Sequence, residues 1–190
     1  MKELRTCLTL FLLLLLLTGI AYPLAVLGIG QTLFPTQADG SLLKDNGAVI
    51  GSSLIGQSFT SPAYFHPRPS AAGAGYDASN SSGSNLAPTS DDLSKSIRSR
   101  AAQLKTENGV MAIPVDLVTS SASGLDPDIS PAAARFQVPR IALARGVDTA
   151  KLLSLVNEYI VPPTYGLLGD SRVNVLELNR ALDQIAPLNR

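Results

Sequence analysis

The chain is poor in the residues that build metal, redox and hydrolytic sites. Its 190 residues include one cysteine, one histidine and no tryptophan. Cys7 has no second cysteine to pair with, so a disulfide framework is excluded. A single His and a single Cys also exclude most His/Cys metal sites, structural zinc among them. No G-x-x-x-x-G-K-[ST] loop and no G-x-S-x-G elbow occurs, so P-loop ATP hydrolysis and the nucleophile-elbow hydrolases lack their motifs. Fifteen basic residues balance fifteen acidic ones. A neutral chain has no global pull toward nucleic acid or an anionic surface.

What the chain does have is a long apolar run. No residue from Leu8 to Gly30 is charged, and Leu12–Leu17 is unbroken leucine. As a helix this run reaches about 34 Å, enough to cross a hydrocarbon core of roughly 30 Å. Pro23 falls in its second half, where a kink is expected. Lys2 and Arg5 precede the run and the next basic residue is Lys44, so the positive-inside rule places the N-terminus in the cytoplasm. A cleaved signal peptide is the competing reading, with Gly19-Ile20-Ala21 as a small-x-small site. Apolar character nevertheless continues through Tyr22–Leu27, which an anchor needs and a signal peptide does not. The expected organisation is a cytoplasmic N-terminus at 1–7, a transmembrane helix at 8–30 and an extracytoplasmic soluble domain at 31–190. Removing Lys2, Arg5 and Glu3 leaves that domain 13 basic and 14 acidic residues. Its length suffices for one core without staples.

Along the domain, Asp39-Gly40 and Asn46-Gly47 signal turns, and Ala48-Val49-Ile50 reads as a short strand. Phe59–Pro69 is dense in aromatics and prolines and predicts a stiff, extended loop. Gly73–Pro88, a Gly/Ser/Asn/Ala stretch, predicts a flexible surface loop. Thr89-x-x-Asp92 opens a helix as a capping box; Leu93, Ile97, Ala101 and Leu104 form its apolar stripe, and Gly109 closes it. Arg98, Arg100 and Lys105 on that helix form a solvated face. Pro114–Thr119 alternates like a strand. Ser130 caps a helix with Pro131 at its first position, and Pro139 predicts two short helices or one kinked one. Asp148 caps a helix carrying Leu152, Leu155, Val156 and Tyr159, and Asn174 caps a last one carrying Leu178, Ala181, Leu182 and Ile185. The fold class is α+β: one N-terminal transmembrane helix, then a mixed soluble domain that is helix-rich in its second half.

Chemistry is thin. Ser41-Leu42-Leu43-Lys44 matches S-x-x-K, a pattern common by chance, and no K-T-G partner follows. His66 lies between Phe65 and Pro67, a setting that suits a packed histidine better than a general base. Asp91, Asp92, Asp126 and Asp128 sit where helix starts and turns want carboxylates. No catalytic and no metal-ligating set is expected. A membrane-anchored extracytoplasmic serine hydrolase using Ser41 with Lys44, or His66, is the alternative. In Ser81–Asn85, backbone N–H groups and hydroxyls could cradle a phosphate, although such stretches are more often linkers. Phe59, Tyr64, Phe65 and His66 offer an aromatic, proline-stiffened segment that either docks a partner or fills the core.

Several strings occur in order: Gly51–Gln57, Tyr64–Ser70, Ser84-Asn85-Leu86, Pro114–Asp126, Ile129-Ser130-Pro131, Val138–Ala142 and Val173–Asn179. Together they resemble the C subunit of the Kdp potassium-transporting P-type ATPase, the KdpC family, over almost the whole chain. The resemblance implies a non-catalytic, single-pass accessory subunit of an ATP-driven potassium uptake complex in the plasma membrane. It implies three partners: a channel-like potassium-translocating subunit, the P-type ATPase subunit and a small membrane subunit. It implies a part in assembly and activity, and in aiding ATP binding by the pump subunit. ATP then enters through the pump subunit, and no cofactor is expected on this chain itself. Ser82, Gly83, Ser84 and Asn85 stand where the family's Gly/Ser nucleotide motif falls.

Overall fold

The computed structural model describes residues 1–45, 47–109 and 111–188. Asn46, half of one expected turn, lies outside the described residues. The chain divides into two compact units, Met1–Ser52 and Ser53–Arg190.

The first unit is dominated by one apolar helix over Lys2–Leu33, none of it buried against protein. Helix α1 (Lys2–Leu16) passes through a π turn (Leu17–Ala21) into α2 (Tyr22–Leu33). The irregularity expected at Pro23 takes this form one turn earlier. Pro23 has no N–H to give, and its ring crowds the carbonyl four residues back, Gly19. The backbone answers with a wider loop in which the Tyr22 N–H reaches the Leu17 carbonyl. Thr6, Thr9 and Thr18 turn their hydroxyls onto carbonyls four residues back, which removes bare donors from an apolar surface. A single turn, α3 (Pro35–Ala38), and the turn at Asp39-Gly40 lead into a hairpin. Its strands are β1 (Leu42–Asp45) and β2 (Ala48–Ser52), antiparallel, with a register irregularity between Leu43 and Lys44. The S-x-x-K stretch is therefore mostly strand.

The second unit carries four helices and a second two-stranded pair. Helix α4 (Asp91–Asn108) begins from Ser90 as N-cap, not Thr89, and Gly109 ends it at φ +83°. Ala87–Ser90 already forms a turn, which takes Thr89 out of the capping position. The expected stripe Leu93, Ile97, Ala101, Leu104 is half-buried. Val115–Leu117 is a 3₁₀ turn rather than a strand. A two-residue alternation suits either, and here Leu117 turns into the core while Val115 stays exposed.

Strand β3 (Asp128–Ile129) pairs antiparallel with β4 (Val173–Asn174). Each strand runs directly into a helix cap. Ser130 accepts from the Ala133 N–H at the start of α5 (Pro131–Arg145), and Asn174 accepts from the Glu177 N–H at the start of α7 (Val175–Ile185). Two residue pairs thus place the starts of α5 and α7 side by side. Between them α6 (Thr149–Glu158) is capped by Asp148 on the Ala150 N–H. Helix α5 is continuous through Pro139. Pro139 and Arg135, whose carbonyl loses its donor, are both exposed, so water can take the orphaned acceptor. The core joins Phe65, Ile129, Val138, Ile141, Leu152, Val156, Val173, Leu178 and Leu182, with Phe59, Leu104 and Tyr159 packed at its edge.

Candidate functional site

The Phe59–Pro69 segment lies against α5 and α7 with no strand beside it. Its backbone polar groups are satisfied by side chains instead. Asn179 of α7 accepts from the Phe65 N–H at 2.8 Å and donates to the Phe65 carbonyl at 2.9 Å. Gln137 of α5 does the same for His66, at 2.8 and 3.0 Å. Each amide imitates one rung of a ladder, and both side chains are almost wholly buried. Arg140 donates to the Pro62 and Tyr64 carbonyls and to the side chains of Gln137 and Asn108. Burial pushes its guanidinium pKa down, and the Glu107 carboxylate opposes that shift. Arg145 donates to the Ala63 and Ala186 carbonyls and pairs with Asp183 at 2.8 Å. It also lies 4.6 Å from the centre of the Tyr64 ring, and the Tyr64 hydroxyl donates to Asp183.

A second set of contacts closes on the loop 121–126. Arg68 pairs with Asp126 at 2.9 Å. The Ser70 hydroxyl donates to the Gly124 carbonyl and accepts from the Ala72 and Tyr76 N–H groups. The Tyr76 hydroxyl donates to the Arg68 carbonyl, and burial first, then the Asp126 charge, push its pKa up. The Gly56 N–H donates to Leu125, and the Ser82 N–H to Ser123. Approach is close enough that a Cβ on Gly124 would lie 2.6 Å from both the Ala72 nitrogen and the Ser82 oxygen.

Several of the residues singled out above take part in these contacts. Phe65 is fully buried, so its ring fills the core; Phe59 and Tyr64 meet each other at 5.6 Å between ring centres. The His66 Nε2 lies 2.9 Å from the Ser61 carbonyl, so this nitrogen carries the proton and donates. Burial lowers the His66 pKa. The Nε2 proton ties the ring to the backbone of its own segment. In Ser82–Asn85, the Ser82 N–H is spent on Ser123, and Gly83 is glycine because a Cβ would meet the Ala122 carbonyl at 2.9 Å. The close approach there is to the chain's own backbone. Gly73–Pro88 is likewise fastened at Tyr76, Ser81 and Ser82. Arg100, expected in solvent, donates to the Val118 carbonyl, whereas Arg98 and Lys105 stay exposed.

Several charged residues line a cleft of about 350 Å³ formed by Arg68, Asp116, Asp126, Asp128, Ser130, Asp170 and Arg172, among other residues. Asp116 accepts from the N–H and hydroxyl of Ser130, and Asp128 pairs with Arg172 at 3.1 Å. Burial raises the Asp128 pKa while Arg172 opposes it. Three of the four carboxylates thus hold elements together, and no cluster of His, Cys, Asp or Glu suited to a metal occurs among the described residues.

Sequence reasoning missed Gln137, Arg140, Arg145, Asn179 and Asp183. The signal was a run of long polar side chains on helix faces that otherwise bury Ala133, Ile141, Leu178 and Leu182.

The chain is similar to proteins known by name. The family described as "KdpC: K+-transporting ATPase, c chain" matches residues 4–184. A "Potassium-transporting ATPase KdpC subunit" of Caulobacter vibrioides (strain NA1000 / CB15N) is 55% identical over 188 residues, covering 98% of this chain and 95% of the relative. The protein of the same name from Rhodospirillum rubrum is 54% identical over 190 residues, 99% of this chain and 98% of the relative. That of Rhodopseudomonas palustris (strain TIE-1) is 52% identical over 199 residues, 98% and 99%. The chain belongs to the family of KdpC subunits of potassium-transporting ATPases.

Proposed function

We propose that this chain is a non-catalytic accessory subunit of an ATP-driven potassium uptake complex, anchored once in the plasma membrane with its second unit outside the cytoplasm. The observation that carries the reading is family membership over nearly the full length. The bonds just described give His66, Asp116, Asp126 and Asp128 structural work, holding backbone or an opposite charge. Its partners are the channel-like potassium-translocating subunit, the P-type ATPase subunit and the small membrane subunit.

Orientation follows from Lys2 and Arg5 before the apolar helix and no basic residue after it until Lys44. ATP is hydrolysed in the cytoplasm, so a domain outside aids ATP binding through the assembled pump subunit, without contact at Ser82–Asn85. A periplasm-active reporter fused after Arg190 should be active and a cytoplasm-active one silent. The reverse pattern sinks the outside placement and restores direct nucleotide contact at Ser82, Gly83, Ser84 and Asn85. Mild detergent extraction should bring down two larger membrane subunits with the chain. A lone chain that reacts with a serine-directed probe would point to the hydrolase instead.

A further inference from the structure

The segment Val161–Arg172 is a hairpin whose tip is rigidly built yet leaves most of its own apolar surface exposed. Val161 and Arg172 exchange both backbone hydrogen bonds, at 2.8 and 3.0 Å. Thr164 and Leu168 exchange theirs at 2.9 and 3.0 Å, and the Gly166 N–H closes onto the Pro163 carbonyl. Pro162 and Pro163 restrict one arm. Tyr165, Gly166 and Gly169 hold positive φ, at 55°, 73° and 80°. The base is tied down by the Arg172–Asp128 ion pair. On this frame Tyr165 is 90% exposed, Leu167 86% and Leu168 65%.

A non-glycine residue held at positive φ, on a loop with its own hydrogen bonds, is ordered at a cost in free energy. That cost returns little burial inside this unit. Large apolar side chains presented together on a stiff turn are the anchors of interfaces, because little ordering remains when they bind. The charge around them says what kind of partner fits. From Tyr159 to Ser171 the only charged residue is Asp170. An apolar tip that enters an anionic lipid surface is ordinarily flanked by several basic residues; here the base carries Asp170 and one basic residue, Arg172, which is paired with Asp128. A neutral, apolar recess in a protein suits it better.

We propose that the Tyr165–Leu168 tip docks into an apolar recess on another subunit of the same potassium-transporting ATPase. This rests on the accessory-subunit reading and names the surface through which it works. Tyr165 supplies the aromatic anchor, and Leu167 and Leu168 fill the space beside it.

The test uses the full chain co-expressed with the other ATPase subunits. A photo-crosslinking residue replaces Tyr165, and the products of the purified complex are identified by mass. The expected product joins this chain to another subunit of the ATPase. A product with lipid, one with a second copy of this chain, or none at all overturns the proposal. In parallel the double variant Tyr165→Ser, Leu167→Ser should melt as the parent does when isolated in detergent, since both side chains face water. Its share retained on washed complex should fall about ten-fold, the loss of one interface anchor. Retention equal to the parent overturns the proposal too. If the parent chain itself fails to copurify with ATPase subunits, the accessory-subunit reading fails and takes this inference with it. If the parent copurifies and only the tip is silent, the inference alone fails.

Discussion

Gly124 shows how much one missing Cβ can decide. Its φ of +66° already disfavours any other residue, and a Cβ would lie 2.6 Å from two backbone atoms of segments that cannot give way independently. Gly146 is the natural control: it ends α5 at φ +64° but meets nothing within 4 Å. Gly146→Ala should lose about 1 kcal/mol in urea unfolding, the left-handed term alone. Gly124→Ala should lose more than about 3 kcal/mol and loosen Ser70, Ser82 and Gly56 together. Equal losses at both positions would show that the packing around Gly124 yields. His66 acts at the same scale through its proton. Its folded pKa lies below the ordinary 6.5 because burial disfavours the imidazolium. Its stabilising contribution is therefore full above pH 6.5 and lost as pH falls through the depressed value. Melting temperature followed downward from pH 7.5 should drop in that window, and His66→Asn should flatten this part of the profile. Because the His66 ring bonds the Ser61 carbonyl within its own segment, ATPase turnover per intact complex should be unchanged by His66→Ala, whatever happens to complex yield. A large loss of turnover in fully assembled complexes would place His66 in the mechanism.

At the scale of elements, an extended segment without a neighbouring strand is held by two helices. Deleting Asn179 leaves both the N–H and the carbonyl of Phe65 buried without partners, at roughly 1–3 kcal/mol each. Asn179→Ala should cost on the order of 3 kcal/mol or more by denaturant unfolding. Gln137→Ala should cost a similar amount, and because the two amides serve adjacent residues the double variant should cost less than the sum. Strict additivity would mean that Phe65 and His66 are held independently. What could be read beforehand was local. The caps at Ser130, Asp148 and Asn174 and the apolar stripes of α4, α6 and α7 need only their own few residues to be recognised. What could not be read was set by distant partners. The strand-like alternation at Pro114–Thr119 became a 3₁₀ turn that puts Leu117 in the core and leaves Val115 exposed. Of the two forms expected at Pro139, two short helices or one kinked one, the chain keeps a single helix because its solvent face tolerates an orphaned carbonyl. The Ser82–Asn85 stretch looks open in sequence, and only the loop 121–126 shows what the Ser82 N–H and the bare Cα of Gly83 meet. The flexibility expected of Gly73–Pro88 met the same loop.

At the scale of the molecule, the core and the long apolar helix lie in different parts of the chain. Every residue of the hydrophobic core lies between Phe59 and Ile185, within the Ser53–Arg190 unit. The hydrogen bonds that fix Phe65, His66, Ser70 and Gly56 also begin and end inside that unit. A fragment starting at Ser53 should therefore fold alone, with one cooperative transition and a melting temperature within a few degrees of the full chain. Function should not survive so easily. A membrane anchor turns subunit docking into an intramolecular-like event, with an effective concentration on the order of millimolar. Once Met1–Ser52 is gone, the fragment must bind from solution. Added to complexes prepared without this subunit, it should restore ATPase turnover only at concentrations far above those of the subunits themselves. Full restoration at equal concentrations would mean that the soluble unit alone holds the assembly and that the helix serves only delivery. A fragment that melts without cooperativity would show that Met1–Ser52 contributes to the fold.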